Sequence, residues 1–264
     1  MAQKTALSVQ SLACHGKCSL TEALPIISAN GISLSVLPTV MLSTHTGGFG
    51  IPERLNVSDF FYNTLKHFKK ESVGFDGIYT GYFASAEQID IFAEEIFNFK
   101  NENAIVLVDP VLGDNGKLFD GLSENFAESM LKLCKLADVI TPNLTEAQLL
   151  CGESYRVNLG EKDIISLSLK LYDLTKACVI ITGIENKNKI GASVFDGEKI
   201  KFIHTKKQNG HFHGTGDIFS SIVFARLLKG SSVENAVNKA VCFISKTIKK
   251  TVSAERDGLE FERF

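Results

Sequence analysis

Residues 137–152 read ADVITPNLTEAQLLCG. ADVIT is a short apolar strand, Pro142 ends it, Asn143 is a good helix N-cap, and Glu146 stands at the capping-box position before the helical run EAQLLCG. The unit is strand, tight turn, helix, and the chain repeats it. Strand-like runs fall at 6–10, 32–40, 77–82, 104–110, 137–141, 177–183, 192–196 and 199–205. Several, such as AIVLVDP and ACVIITG, are apolar throughout, as strands are when helices cover both faces of a parallel sheet. Only residues 190–205 alternate, like a hairpin. Helical spacing appears at 19–29, 58–70, 86–100, 123–134, 143–151, 161–174, 214–229 and 232–250. This succession predicts a three-layer α/β/α sandwich with a mostly parallel central sheet. Ligands in such sheets sit outside the carboxyl ends of the strands, so the chemistry is sought just after each one.

With 264 residues, 44% hydrophobic and 22% charged, the chain is expected to form one continuous domain over residues 1–264. Its 28 basic and 30 acidic side chains give a net charge of −2, which leaves no electrostatic footprint for nucleic acid or an anionic membrane. The expected partner is a small molecule. No run approaches the roughly 18 apolar residues of a spanning helix, and MAQKTALSVQ lacks an apolar signal region, so a cytoplasmic location is expected. The six cysteines read as reduced, buried thiols, and Cys14 and Cys18 form too poor a set for zinc.

Three strand ends carry groups suited to chemistry. Gly214-Thr215-Gly216-Asp217 opens the apolar helix IFSSIVFARLL. The glycines let backbone approach a ligand, the free N–H groups of the first turn converge on an anion, and Asp217 is placed to take a proton. Structural roles alone also account for these residues, as a loop and an acid at a helix start. Asn143 and Glu146 likewise form a capping box or help to hold hydrated Mg²⁺ beside phosphates. Asp109 and Asp114 lie in the turn after AIVLV. Acids at three strand ends (Asp109, Glu146, Asp217) imply an electronegative pocket that needs a cation.

On these motifs the sequence resembles the ribokinase-like superfamily of small-molecule kinases, whose signatures are similar to G-T-G-D at 214–217 and T-P-N-x-x-E at 141–146. Val9-Gln10-Ser11, His15-Gly16, Ser43-Thr44-His45-Thr46, Thr80-Gly81-Tyr82 and the turn from Asp109 to Asp114 resemble the pyridoxal (vitamin B6) kinases in order and spacing. The resemblance implies ATP-dependent phosphorylation of the 5′-hydroxyl of pyridoxal, pyridoxamine or pyridoxine. Asp217 would be the general base and Gly214, Thr215 and Gly216 the anion hole. Asp109, Asn143 and Glu146 would organise Mg²⁺ and ATP, with Asp109 and Glu146 on the metal, and Thr182 and Gly183 would touch the phosphates. Ser11, His15 and Thr46 would meet the pyridine, with Tyr82 packed beside it and His45 in the same loops. The family also implies a homodimer, a role for a monovalent cation such as K⁺, and no separate lid domain. Residues 204–212 would cover the nucleotide and 236–243 would wall the adenine. Residues 40–50, with three glycines, are a candidate mobile loop. The alternative is a hydroxymethylpyrimidine (phosphomethylpyrimidine) kinase or a dual-specificity pyrimidine/pyridine kinase of thiamine synthesis; the G-G-A-G-type first loop usual in the former is absent from Ala13-Cys14-His15-Gly16-Lys17-Cys18. A catalytically idle vitamer-binding protein is a third reading. Lys17 reads as a solvated charge, and Phe92, Phe97 and Phe99 as core or dimer packing.

Overall fold

The computed structural model describes residues 3–263 other than Asp120, Glu124, His211 and Ala254, so His211 of the expected nucleotide cover over 204–212 lies outside the described residues. In chain order the elements are β1 (Thr5–Ala13), α1 (Leu20–Ala29), β2 (Ser33–Leu42), β3 (Arg54–Asn56), α2 (Ser58–Lys70), β4 (Phe75–Thr80), α3 (Ala86–Glu95), β5 (Lys100–Val108), β6 (Gly113–Asp114), β7 (Lys117–Leu118), α4 (Phe126–Cys134), β8 (Val139–Ile140), α5 (Leu144–Leu150), α6 (Glu161–Thr175), β9 (Cys178–Asn186), β10 (Lys189–Phe195), β11 (Ile200–Lys206), α7 (Thr215–Leu228) and α8 (Val233–Lys250). Nine strands make one sheet in the order β11-β10-β9-β8-β5-β4-β1-β2-β3. The run from β2 to β9 is parallel, and antiparallel partners flank it on both sides. The expected hairpin is β10 and β11.

Strands that read as apolar throughout are buried on both faces because neighbouring residues feed two different cores. Leu7, Ile78, Val106 and Val108 join the core under α2 to α6, while Ala6, Tyr79, Leu107 and Val139 join the core under α1, α7 and α8. That is the three-layer sandwich expected from the sequence. α7 is sandwiched between the sheet, α1 and α8, which explains why IFSSIVFARLL shows no polar stripe.

Local differences have local causes. The helix expected over 86–100 ends at Glu95 and tightens into a 3₁₀ turn over Ile96–Phe99, whose Phe99 is buried whereas Phe97 is 63% exposed. Phe92 is buried as expected. The short strands β3, β6 and β7 give no periodic signal and were not anticipated, because two or three residues are too few for one. Among the described residues no helix is long and apolar enough to cross a membrane.

Tyr79 and Phe224 meet at a ring separation of 5.6 Å, above a point where a Cβ on Gly77 would lie 2.8 Å from the Phe224 ring. Phe224→Ala is expected to lower the unfolding free energy by about 3–5 kcal/mol in urea titrations; a loss below about 1 kcal/mol would contradict this packing.

Candidate active site

The parallel strands bring their carboxyl ends to one edge, and the residues singled out in the sequence collect there. In sheet order these are Thr182 and Gly183 on β9, Thr141 to Asn143 after β8, Asp109 after β5, Tyr82 after β4, Ser11 on β1, and residues 43–50 after β2. The N-terminus of α7 points into the same edge through three contacts. Ser220 Oγ, buried, donates to Asp109 Oδ2 at 2.9 Å. Its single proton being used, Thr141 Oγ1 donates to Ser220 Oγ at 2.9 Å. One turn earlier, the Asp217 carboxylate accepts the backbone N–H of Ser19.

Gly214 is the N-cap of α7 with φ 80°, a conformation that disfavours any side chain. A Cβ there would also run into the Glu22 carboxylate and lie 2.6 Å from the Lys17 carbonyl oxygen. Gly216 has nothing within contact distance, so the turn is open on its outer side. Ser19, which holds Asp217 through its N–H and accepts the Ser11 hydroxyl at 3.0 Å, has φ 47°, an uncommon value for a residue with a side chain. Burial pushes the Asp217 carboxyl up to about 6, against the lowering pull of that N–H.

Asp109 is buried, and its carboxyl is raised first by burial and then by the charge of Asp217, with the Ser220 hydroxyl opposing. Glu146 is raised by burial and then by Asp109, and is held by backbone N–H groups. The Asn143 N–H donates to Glu146 Oε2 at 2.8 Å and Leu112 N–H to Oε1 at 3.1 Å. Asn143 Oδ1 accepts from Glu146 N–H at 3.0 Å, and its Nδ2 donates to Gly113 O at 2.9 Å. The capping box is therefore present in full, and these two residues lock the turn carrying Asp109 onto α5. Thr182 is joined to the same place by its N–H to Pro142 O at 2.9 Å, and Gly183, φ 71°, is exposed beside it.

Ser11 and Tyr82 sit at adjacent strand ends, and His15 and Thr46 are exposed on the two loops beside them. The Tyr82 hydroxyl accepts from Arg54 Nη2 at 2.8 Å, so β3 tethers the ring expected beside the substrate. Two expectations change here, and of the two loop histidines His15 is exposed while His45 turns inward. His45 is buried, with Nε2 on Arg256 O at 2.7 Å and Nδ1 accepting the Gly47 N–H at 3.0 Å, so both ring nitrogens are engaged inside the protein rather than offered to a pyridine. Lys17 is not a solvated charge, because Nζ donates to Leu259 O at 2.8 Å. Cys14 and Cys242 are exposed and Cys18 and Cys178 half-buried, so only Cys134 and Cys151 are buried as expected, and all six thiols are free.

The sequence reading missed Glu22, Ser220 and Arg54. Glu22 is 0% exposed, neither carboxyl oxygen has a hydrogen-bond partner, and burial and then Asp217 raise its carboxyl far above the usual range, so it is neutral beneath Gly214. An acid inside the otherwise apolar face of LTEALPIISA was the available signal for it. Among the described residues no three His, Cys, Asp or Glu side chains group closely enough to hold a metal ion unaided.

Comparison with known proteins gives this edge a family. The phosphomethylpyrimidine kinase profile matches residues 53–260. The crystal structure of pyridoxal kinase from Lactobacillus plantarum is 28% identical with a TM-score of 0.92, covering 98% of this chain and 94% of that one. A Bacteroides thetaiotaomicron protein provisionally called a phosphomethylpyrimidine kinase, in a crystal form with pyridoxal, is 32% identical with a TM-score of 0.93, covering 99% and 94%. A hydroxymethylpyrimidine/phosphomethylpyrimidine kinase of Staphylococcus aureus is 30% identical over 203 residues, 72% of this chain and 66% of that protein. The chain belongs to the phosphomethylpyrimidine kinase family of ribokinase-like kinases, among whose members similar to it are proteins named for pyridoxal and for hydroxymethylpyrimidine.

Proposed function

We propose that this kinase transfers the γ-phosphoryl group of ATP to the 5′-hydroxyl of a B6 vitamer. The observation that carries the reading is Asp217 at the start of α7, half-buried, held by the Ser19 N–H, and flanked by an open glycine turn at the carboxyl ends of the strands. Asp217 takes the hydroxyl proton as the oxygen attacks the γ-phosphorus in line, and the N–H groups of residues 214–216 receive the charge that develops on the phosphoryl oxygens. Asp109 and Glu146 suit a cation that arrives with the phosphates, since Mg²⁺ keeps several waters and needs only one or two protein carboxylates. Bound there, Mg²⁺ would neutralise phosphate charge. Ser11, His15, Thr46 and Tyr82 form the ring side of the pocket, and Asn143, Thr182 and Gly183 the phosphate side.

A pyridine is preferred to a pyrimidine because the loop over Ala13-Cys14-His15-Gly16-Lys17-Cys18 has no G-G-A-G-type sequence, because the Lactobacillus structure is named a pyridoxal kinase, and because the Bacteroides protein, though named for a pyrimidine, has a crystal form with pyridoxal. The staphylococcal relative and the family profile favour hydroxymethylpyrimidine as the second substrate. The protein works in this reading as a homodimer in the cytoplasm, with K⁺ as a further activating ion.

Release of ADP with pyridoxal, pyridoxamine, pyridoxine and hydroxymethylpyrimidine tests the reading. Turnover of a B6 vitamer is expected, falling by about 10²–10⁴ in kcat for Asp217→Asn with an unchanged melting curve. Near-normal kcat in that variant would remove Asp217 as base, and turnover of the pyrimidine alone would overturn the vitamer assignment. Because the Asp217 carboxyl is raised to about 6 and acts when ionised, kcat/KM is expected to be level above that pH and to fall tenfold per unit below it; an acid limb near the ordinary carboxylate value of about 4 would contradict this environment. Gly214→Ala, which brings a Cβ against Glu22 and the Lys17 carbonyl at φ 80°, is expected to lower kcat at least tenfold in the same assay, about 1.4 kcal/mol of barrier. Wild-type kcat in that variant would show that the turn tolerates displacement.

A further inference from the structure

The ring side of the pocket rests on two loops, 14–18 and 43–50, joined to each other by the His45 N–H on His15 O at 3.1 Å. Loops with Gly16, Gly47, Gly48 and Gly50 lose much conformational freedom when they close on a ligand. Something outside them must hold them if the pocket is to be preformed. Besides Thr21 and Glu53 next to them in the chain, three side-chain anchors tie them to residues 255–263.

Lys17 Nζ donates to Leu259 O at 2.8 Å and to Glu262 Oε2 at 2.8 Å, and stands 5.4 Å over the Phe261 ring. Glu262 is half exposed, so its ion pair contributes little, and the carbonyl and ring contacts of the partly buried ammonium carry the attachment. His45 makes the second attachment. Its Nδ1 accepts the Gly47 N–H, so the proton is on Nε2, which donates to Arg256 O at 2.7 Å. The Arg256 guanidinium makes the third, 5.1 Å over the Phe49 ring.

Two glycines mark how closely the surfaces meet. A Cβ on Gly48, φ 81°, would lie 2.8 Å from Arg256 Cβ, and one on Gly258, φ 80°, would lie 2.9 Å from Lys17 Cβ. The clasping segment is itself rooted, since Leu259 and Phe261 are buried in the core shared by α1, α7 and α8. The loops also reach the phosphoryl side: the His45 ring lies 5.4 Å from that of His213, and the Lys17 carbonyl sits under Gly214.

We propose that residues 255–263 are a built wall of the substrate pocket, with Lys17 and His45 as the positioning residues through which they hold the two ring-binding loops in their closed arrangement. The proposal rests on the reading above that these loops receive the ring. The C-terminal segment fixes the loops before binding, so the ordering cost is met in folding and the substrate meets a preformed surface. Neither residue acts on the reacting atoms.

Lys17→Met keeps the stem and removes the donor, and His45→Asn removes the reach to Arg256. In each, KM for the vitamer is expected to rise about tenfold, the scale of one buried hydrogen bond, with kcat within about twofold and KM for ATP unchanged. Amide exchange over 14–18 and 43–50 is expected to quicken at least tenfold, while β1, β4 and β5 exchange as in the wild type. Unchanged exchange in both variants, or equal rises in both KM values, would overturn the proposal. If the wild-type protein turns over no B6 vitamer, the substrate reading fails, and the exchange measurement still decides whether the segment holds the loops.

Discussion

The arrangement depends on one buried hydroxyl. Ser220 stands between Asp109 and Thr141, donating to the first and accepting from the second, and so couples α7 to the ends of two neighbouring parallel strands. α7 has no polar stripe to orient it, so polar contacts help to set its axial position, that of Ser220 together with that of Asp217 on the Ser19 N–H. With that set, the three residues before Ser220, including Asp217, and the turn at Gly214 fall at the sheet edge. The same hydroxyl sits in a dry interior where removing it would leave an uncompensated carboxyl, so positional accuracy and stability are tied to one atom.

The second constraint is electrostatic. Asp109, Glu146, Asp217 and Glu22 influence one another in pairs, and burial is the largest influence on each. They respond differently because their partners differ. Glu146 has its oxygens covered by backbone N–H groups, Asp109 has one hydroxyl, Asp217 has one N–H, and Glu22 has none. Asp217, half-exposed and raised only to about 6, is ionised at neutral pH beside Glu22, whose unpartnered carboxyl stays neutral under the glycine turn. Separated ionisation of neighbouring acids is the usual means by which one site holds both a base and neutral neighbours.

Much of this was legible in the sequence. Strands apolar on both faces announce a covered parallel sheet, and the turns and helix starts that follow them carry Asp109, Asn143, Glu146, Thr182 and Asp217 in plain view. Those signals are local, carried by residues adjacent in the chain. What escaped was non-local. Ser220 reads as an ordinary helix serine until β5 and β8 are beside it, Glu22 as an acid in a helix's first turn until Gly214 is above it, and Arg54 as a loop charge until β3 pairs with β2. The contacts of His45 and Lys17, which overturn the solvated reading of Lys17, come from more than 200 residues away and leave no local signal.

The most direct test of the account is a structure of the protein with pyridoxal and a non-hydrolysable ATP analogue. The 5′-hydroxyl is predicted to lie within about 2.6–3.2 Å of an Asp217 carboxyl oxygen, with the terminal phosphate on the N–H groups at the start of α7. A vitamer bound with its hydroxyl remote from Asp217, or a terminal phosphate seated away from that turn, would contradict it.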